Sequence, residues 1–242
     1  MALNNMKTAT ITFHAPNNNG SFLQAYALQK YITTHFDNVE NEIIDFQPES
    51  QQQQYAIFRK IHSKKDILRN LISFWHYKAL SKRFLAFSEM REKYLKMTKR
   101  CTTTKEAIKI AGNYDLVIAG SDQIWNTTAR DFSEAFFLPG ISKKSTYAVS
   151  CGSHLNEVDC DRICSAMETF ENVSVREIDT REFLEKHTKR SIETVLDPTF
   201  LLTKEDYSGL YDKERILKEK YIFLYTINYD EDALKQTVRV AE

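Results

Sequence analysis

The chain of 242 residues is 42% hydrophobic and 12% aromatic, enough apolar material for a packed core, which argues against disorder over most of its length. Its 33 basic and 33 acidic residues balance, so the molecule as a whole has no net charge that would attract nucleic acid. Residues 1–12 hold no apolar run suited to a signal peptide, and no run approaches the ~18 apolar residues of a membrane span, so we expect a cytoplasmic protein.

The first elements alternate between strand and helix. Residues 8–13 are β-branched and aromatic and precede a turn-forming run at 16–20, which predicts a strand that ends in a tight turn. Apolar residues at helical spacing predict a helix over 21–36, capped by Ser21 or Asn19. Residues 43–46 form the next predicted strand. The order strand, helix, strand is typical of the start of a parallel sheet.

A helical insertion is predicted over about 51–100. The first of its two apolar stripes consists of Ile67, Leu68, Leu71, Ile72 and Trp75. Such a stripe indicates packing in the core or contact with a partner, and the basic residues are expected on the other faces. Between Arg59 and Arg100, 13 basic residues stand against 3 acidic ones. This charge predicts either a solvated helical surface or contact with a polyanion or the anionic surface of a membrane.

Short apolar strands resume after the insertion. They are predicted at 115–119, 147–149, 173–175 and 194–196, each ending in small or polar residues as parallel strands do, with a helix over about 163–170. Residues 221–227 predict a further strand and 231–241 a helix, which either start a second domain or extend the first sheet. We therefore expect an α/β fold, a Rossmann-like parallel sheet flanked by helices, over 1–212. Residues 213–242 are expected to start a second domain.

Polar residues follow five of these strands, at 14–21, 120–126, 150–154, 176–177 and 197–198. Because the carboxyl ends of parallel strands share one edge of the sheet, we expect a ligand there. The turn at Asn19 and Gly20 allows an anion to approach the N-terminus of a helix closely. The segment GSDQIWN at 120–126 is either a ligand-binding tip or an ordinary turn with an aspartate cap.

Arg176 directly follows a buried strand, where an unpaired guanidinium is costly. Its partner is either Glu177 or an anionic ligand. The chain contains no dinucleotide fingerprint, P-loop or nucleophile elbow.

The four cysteines, at 101, 151, 160 and 164, form no CxxC pair. Without a secretion signal, free thiols in a reducing compartment are expected. Together with His154 the last three match no zinc-ligand spacing, so no metal site is predicted.

Taken together, these segments resemble the polysaccharide pyruvyl transferase family. The matching segments are THF at 12–14, NG at 19–20, LQAYALQKY at 23–31, GSDQIWN at 120–126, YAVS at 147–150 with Gly152, SVRE at 174–177 and LDPTFLL at 196–202. Their order and spacing hold from Lys7 to about Leu202, and GSDQIWN and LDPTFLL are the most specific of them.

The resemblance implies a two-domain fold similar to that of the GT-B glycosyltransferases, with the active site in the cleft between two Rossmann-like halves. Members transfer pyruvate from phosphoenolpyruvate to sugar hydroxyls of cell-surface polysaccharides. Phosphoenolpyruvate is thus the expected donor, a sugar the acceptor, and no further cofactor is implied. Arg176 is the implied anion contact. The other implied substrate-binding residues are His14, Asn19, Gly20, Ser121, Asp122, Trp125 and Asn126.

The second half of such proteins carries a Ser-Phe-His-Gly-like motif whose histidine is the implied acid. None of the six histidines here, at 14, 35, 62, 76, 154 and 187, has that context, so the catalytic residue is not identified. We expect that most of the second half is absent and that this chain alone is inactive. A separately encoded second half or a homo-oligomer would complete the site.

Two other functions fit the same pattern. One is a glycosyltransferase of GT-B type that uses a nucleotide sugar, which predicts protection by a nucleoside diphosphate. The other is a non-catalytic domain that a partner chain completes. The basic helices predict, in addition, peripheral docking on an anionic membrane surface.

Overall fold

The computed structural model describes residues 5–152, 157–211, 217–226 and 229–241. The chain forms two compact units, Met1–Leu202 and Thr203–Glu242. The predicted domain limits, 1–212 and 213–242, stay a prediction.

Four parallel strands form the main sheet of the first unit. They are β1 (Met6–Ile11), β2 (Val39–Ile43), β3 (Leu116–Ala119) and β4 (Lys144–Thr146), in the order β2-β1-β3-β4. Two short strands, β5 (Ser174–Val175) and β6 (Glu193–Thr194), also pair in parallel. A parallel bridge between Val149 and Val175 connects this pair with the chain after β4. The predicted α/β class with a parallel sheet is confirmed.

The strand predicted at 147–149 is displaced, because β4 ends at Thr146. Ala148 has a φ of 51°, and a residue in the left-handed region interrupts a strand ladder. Val149 beyond it makes only isolated bridges, to Asp122 and Val175.

Helices flank the sheet of this unit. They are α1 (Asn19–His35), α5 (Thr104–Ala111), α6 (Glu157–Met167) and α7 (Ile178–Leu184). The N-cap of α1 is Asn18, whose side chain accepts a hydrogen bond of 2.7 Å from the Gly20 N–H. The predicted caps, Asn19 and Ser21, are wrong because Asn18 is the last residue with extended backbone before the first turn.

Three helices occupy the predicted insertion, namely α2 (Glu49–Tyr55), α3 (Lys64–Trp75) and α4 (Tyr77–Tyr94). The core-packing alternative for the apolar stripe on α3 is wrong, because its residues are exposed. Among the described residues, no helix is both long and apolar enough to cross a bilayer.

A buried polar cluster joins β1, β2 and α1. The Asn41 amide donates to the hydroxyls of Thr8 and Thr10, at 3.0 and 3.1 Å. Gln29 on α1 donates to the Lys96 carbonyl at 2.9 Å and accepts from the Lys96 N–H at 2.8 Å. Asn41 is fully buried, so these bonds replace the water that its amide would otherwise bind.

The second unit contains one described helix, α8 (Glu231–Ala241), as predicted. The strand predicted at 221–227 is wrong over 221–226, where the backbone joins no sheet and the side chains are exposed. The alternative of a last strand added to the first sheet fails for the same reason. Apolar, β-branched sequence forms a strand only when a neighbouring strand satisfies its N–H and C=O groups, and among the described residues none does.

Candidate active site

Polar side chains from four segments meet at the carboxyl edge of the sheet. Ser21, in the first turn of α1, donates a hydrogen bond of 3.0 Å to Asp122, which follows β3. Arg176, directly after β5, donates to Asp197 at 2.8 Å and to Glu177 at 3.1 Å. Val149 forms parallel bridges with both Asp122 and Val175, so the two groups lie side by side, and we call Ser21, Asp122, Arg176, Glu177 and Asp197 the tip cluster.

The tip cluster holds three carboxylates and one guanidinium. Burial raises the pKa of Asp122, although hydrogen bonds from the Gln123 N–H and Ser21 and the charge of Arg176 oppose that rise. Burial also lowers the pKa of Arg176, but its hydrogen bonds to Asp197 and Glu177 outweigh burial and raise it. Asp122 is therefore a carboxyl group that retains a proton to higher pH than a solvated aspartate, next to a permanent cation.

Of the predicted substrate-binding residues, Arg176, Asp122, Asn19 and Gly20 are exposed or partly exposed at this edge, and Asn126 is partly exposed as well. Arg176 and Asp122 belong to the tip cluster. The sequence left Glu177 and an anionic ligand open as partners of Arg176, and the structure agrees with both. The guanidinium pairs with Glu177, and the side chain is partly exposed, as contact with a ligand requires. Asn19 and Gly20 are exposed in the first turn of α1, next to Ser21. The structure thus brings Arg176 and Asp122 together with Ser21, Glu177 and Asp197, and Asn19 and Gly20 precede Ser21 in the same helical turn.

The predicted residues Ser121 and Trp125 lie beneath this surface in the core. The Ser121 hydroxyl donates to the Ala148 carbonyl at 2.9 Å, and its own carbonyl accepts from Thr12 at 2.8 Å. Trp125 is fully buried and packs edge-on against Phe170. Both residues therefore hold the segment 120–126 in place from the core side of the edge.

His14 is also fully buried. Its Nε2 lies 2.9 Å from Asp45, and its Nδ1 lies 3.2 Å from the Thr12 carbonyl. Burial alone would raise the pKa of Asp45, but hydrogen bonds from His14 and Gln47 and the charges of His14 and Arg100 lower it to about 2. Both ring nitrogens of His14 thus face protein oxygens, which makes its role here that of a positioning residue beneath the edge.

Two glycines are required by the close packing of this edge. Gly120 has a φ of 125°, and a Cβ there would lie 2.1 Å from the Tyr147 carbonyl oxygen. Gly152 has a φ of 77°, and a Cβ would lie 2.6 Å from the side-chain nitrogen of Asn126. The predicted residue Asn126 is held there by accepting hydrogen bonds from the N–H and hydroxyl of Thr128, at 3.2 and 2.7 Å.

A cavity of about 550 Å³ opens between the insertion and the loops after β1 and β2. Its wall contains the aromatic side chains of Tyr55, Phe58, Tyr77 and Phe84. The polar lining includes the side chains of Asn17, Gln47, Gln51, Ser88, Arg91 and Arg100. Burial first, and then the charges of Asp131 and Asp122, raise the pKa of the Tyr55 phenol in this wall.

Arg91 and Gln51 give this cavity buried polar groups. Arg91 is 8% exposed and donates to the Ala15 carbonyl at 3.0 Å and to Asn17 at 3.3 Å. Gln51 is 3% exposed, and its side-chain oxygen has no hydrogen-bond partner. The expectation that basic residues of the insertion face outward is therefore wrong for Arg91. An unpaired polar atom in the wall of a cavity is a group that a ligand can satisfy.

Sequence reasoning missed Arg91, Arg100, Gln51 and Tyr55 as site residues. For Arg100 the sequence carried one signal, its position directly before the apolar residue Cys101. In the structure Cys101 forms a parallel β-bridge with Phe46 at the end of the sheet. The predicted tip at 150–154 is described only to Gly152, so His154 lies outside the described residues. Within the described residues, no group of three His, Cys, Asp or Glu side chains could hold a metal ion, and the four cysteines are buried thiols that form no disulfide.

Comparison with protein families adds an independent finding. A family model described as polysaccharide pyruvyl transferase matches residues 18–241. In the same comparisons, no curated protein and no solved structure matches the chain.

Proposed function

Since the chain belongs to the polysaccharide pyruvyl transferase family, we propose that it transfers a pyruvyl group from phosphoenolpyruvate to a sugar hydroxyl of a cell-surface polysaccharide. The match over 18–241 is the observation that carries this proposal, because it spans the tip cluster and the insertion together. Phosphoenolpyruvate as the donor follows from the family's reaction.

This reaction joins the central carbon of the donor to two sugar hydroxyls as a ketal. Each hydroxyl loses its proton as it bonds to that carbon, the methylene carbon takes one proton, and the bond from the central carbon to the phosphate oxygen breaks, so that inorganic phosphate leaves with the other proton. Asp122 is our candidate for the group that accepts a hydroxyl proton, because its pKa is raised by burial and a hydrogen bond from Ser21 holds it in place. The group that protonates the carbon is expected from the family's second half, which fits a cleft of GT-B type with this edge as one wall.

The donor is a dense anion, and in the proposal Arg176 contacts it. A bound carboxylate or phosphate would take the position of Glu177 on the guanidinium, while Asp197 keeps Arg176 in place. At the start of α1 the Gly20 N–H already donates to the Asn18 side chain, so in the proposal the Asn19 N–H is the further donor to an anion.

The acceptor sugar, in the proposal, lies in the cavity lined by Tyr55. Its volume of about 550 Å³ suits a ligand of one or two sugar rings. Aromatic walls pack against the apolar faces of the rings, and Gln51, Asn17 and Arg91 can hydrogen-bond hydroxyls. The four cysteines are thiols and not disulfides, which agrees with a reducing compartment, and we propose that the reaction takes place in the cytoplasm.

Donor binding tests this proposal. Phosphoenolpyruvate should raise the melting temperature of the 242-residue chain as its concentration rises, whereas uridine diphosphate and inorganic phosphate at equal concentration should not. Arg176→Gln should abolish the shift. Its matched control is Arg181→Gln, which removes a partly exposed cation from α7, and this variant should retain the shift.

The other outcomes favour the alternatives. Protection by uridine diphosphate alone would favour a glycosyltransferase, and protection by neither ligand would favour a non-catalytic domain. Where the transfer can be assayed with an acceptor, Asp122→Asn should lower its rate by roughly 10²–10⁴-fold.

A further inference from the structure

Helix α3 presents its polar face to the protein. The Asn70 side chain donates to the Arg59 carbonyl at 2.9 Å and accepts from the Arg59 N–H at 3.0 Å. Arg69 on the same face reaches the Ala56 carbonyl at 3.5 Å, and Ser73 is buried. In a surface helix of a globular protein the apolar face normally takes this position.

The opposite, apolar face of α3 is turned to solvent. The exposed side chains on it are those of Ile67, Leu68, Leu71, Ile72, Phe74 and Trp75. Trp75 is 82% exposed and Phe74 69%. The spacing places all six on one side of a helix of 12 residues. A contiguous apolar surface of this kind marks a contact site, since single exposed apolar residues would be scattered.

A groove of about 450 Å³ runs between α3 and the start of α4. Its apolar lining comes from Leu68, Ile72 and Leu80, and Lys65, Arg69 and His76 line it as well. Over Lys64–Arg83, which covers this surface, the sequence has six basic residues and one acidic residue. Cations therefore surround the apolar face.

From this arrangement we propose that α3 docks the protein on an anionic lipid surface. The apolar side chains of α3 would enter the boundary between headgroups and acyl chains, with the helix parallel to the membrane plane. Lysines beside it, at 64, 65, 78 and 82, would remain at the level of the anionic headgroups. The proposal does not depend on the reaction proposed above.

The charge also decides against a second copy of the chain as the occupant. Two copies that met through this face would place their basic residues against each other, which is unfavourable. An anionic bilayer satisfies both features, because it takes up apolar side chains and neutralises the lysines.

The two tryptophans make the docking measurable in the unmodified protein. Trp125 is fully buried and Trp75 is 82% exposed, so a change in the environment of α3 appears in the Trp75 emission. Vesicles of phosphatidylcholine with 30% phosphatidylglycerol should shift the emission to shorter wavelength and sediment the protein at low salt. Vesicles of phosphatidylcholine alone should do neither.

Matched variants separate the contribution of the apolar side chains to membrane binding from that of the lysines. Leu71→Ser with Trp75→Ser should abolish sedimentation, whereas Phe36→Ser, at an exposed site at the end of α1, should not. Changing Lys64, Lys65, Lys78 and Lys82 to Gln should weaken binding on the order of 100-fold. The control changes Lys105, Lys109, Lys186 and Lys189 to Gln, which removes the same charge elsewhere and should have a small effect.

Three results would overturn the proposal. The first is no binding to the anionic vesicles, and the second is binding that the Leu71 and Trp75 substitutions leave intact. The third is a dimer, seen by analytical ultracentrifugation, that the same two substitutions dissociate, since the face would then be an interface between copies. Circular dichroism spectra matching those of the wild type would show that the variants are folded.

Discussion

Ser21 in the first turn of α1 and Asp122 after β3 are 101 residues apart in sequence, yet the Ser21 hydroxyl donates a hydrogen bond of 3.0 Å to the Asp122 carboxylate. The bond ties the first helix to the segment that follows the central strand β3. It also holds a carboxyl group whose pKa is raised by burial next to Arg176.

Asp122→Asn should make the chain more stable near neutral pH. The pKa of Asp122 in the folded protein is raised, so the folded state binds this proton more tightly than the unfolded state, and stability is lost as pH rises through the folded pKa. Asparagine has no charge to bury and tolerates the φ of 74° at this position. The gain in melting temperature of the variant should therefore increase from about pH 4 towards pH 7. A gain that is the same at every pH, or a loss at pH 7, would contradict this.

Asp45→Asn should destabilise the chain by about 2 kcal/mol or more at pH 7, because the folded pKa of about 2 lies below the ordinary value of 3.8. This stabilisation is present above pH 3.8 and is lost as pH falls towards 2. Urea unfolding at several pH values should show the difference from wild type shrinking over that window. Asp37→Asn, at an exposed site, is the control and should have little effect at any pH.

Gly120→Ala should destabilise the chain by at least about 3 kcal/mol, because the added Cβ would lie 2.1 Å from a backbone oxygen. Gly140→Ala is its matched control. Gly140 also has a positive φ, of 76°, but a Cβ there has nothing within 4 Å, so only the backbone strain of about 1 kcal/mol should remain. Equal losses in urea unfolding would show that the contact with the Tyr147 oxygen does not matter.

Lys144 should make the stability depend on pH in the alkaline range. Burial lowers its pKa from 10.5 to about 8, although its ammonium donates hydrogen bonds to the carbonyls of Phe137 and Leu138. Between pH 8 and 10.5 the unfolded state binds more protons, so the wild type should gain up to about 3 kcal/mol relative to Lys144→Met. The stability of Lys143→Met, at the exposed neighbouring position, should change with pH as that of the wild type does. If the stability of Lys144→Met also follows the wild type between pH 8 and 10.5, the prediction is refuted.

The parallel sheet and the place of Arg176 and Asp122 were predictable from the sequence. Apolar runs that end in polar residues carry the information for both, since the carboxyl ends of parallel strands must share an edge. The burial of His14, Ser121 and Trp125 was not predictable. Side chains at the end of a strand point alternately to either side, and the pattern of residue types does not say which of them the loops cover.

The orientation of α3 shows another limit. Periodicity divides its residues into an apolar and a polar face, but it does not tell which face the rest of the protein contacts. That choice depends on tertiary contacts: Asn70 and Arg69 form hydrogen bonds with the rest of the protein, and Ser73 is buried. Residues 221–226 are a similar case, because their sequence favours a strand whose formation depends on a neighbour.

The amide of Asn41 has a consequence for how the sheet assembles. If β2 moved by one residue along β1, this side chain would turn to the opposite side of the sheet, and the hydroxyls of Thr8 and Thr10 would lose their common donor. Misaligned pairings would thus leave several polar atoms without partners in a dry interior, at about 1–3 kcal/mol for each. The cluster therefore distinguishes the native alignment from its nearest competitors, a task that apolar side chains of similar shape could not perform.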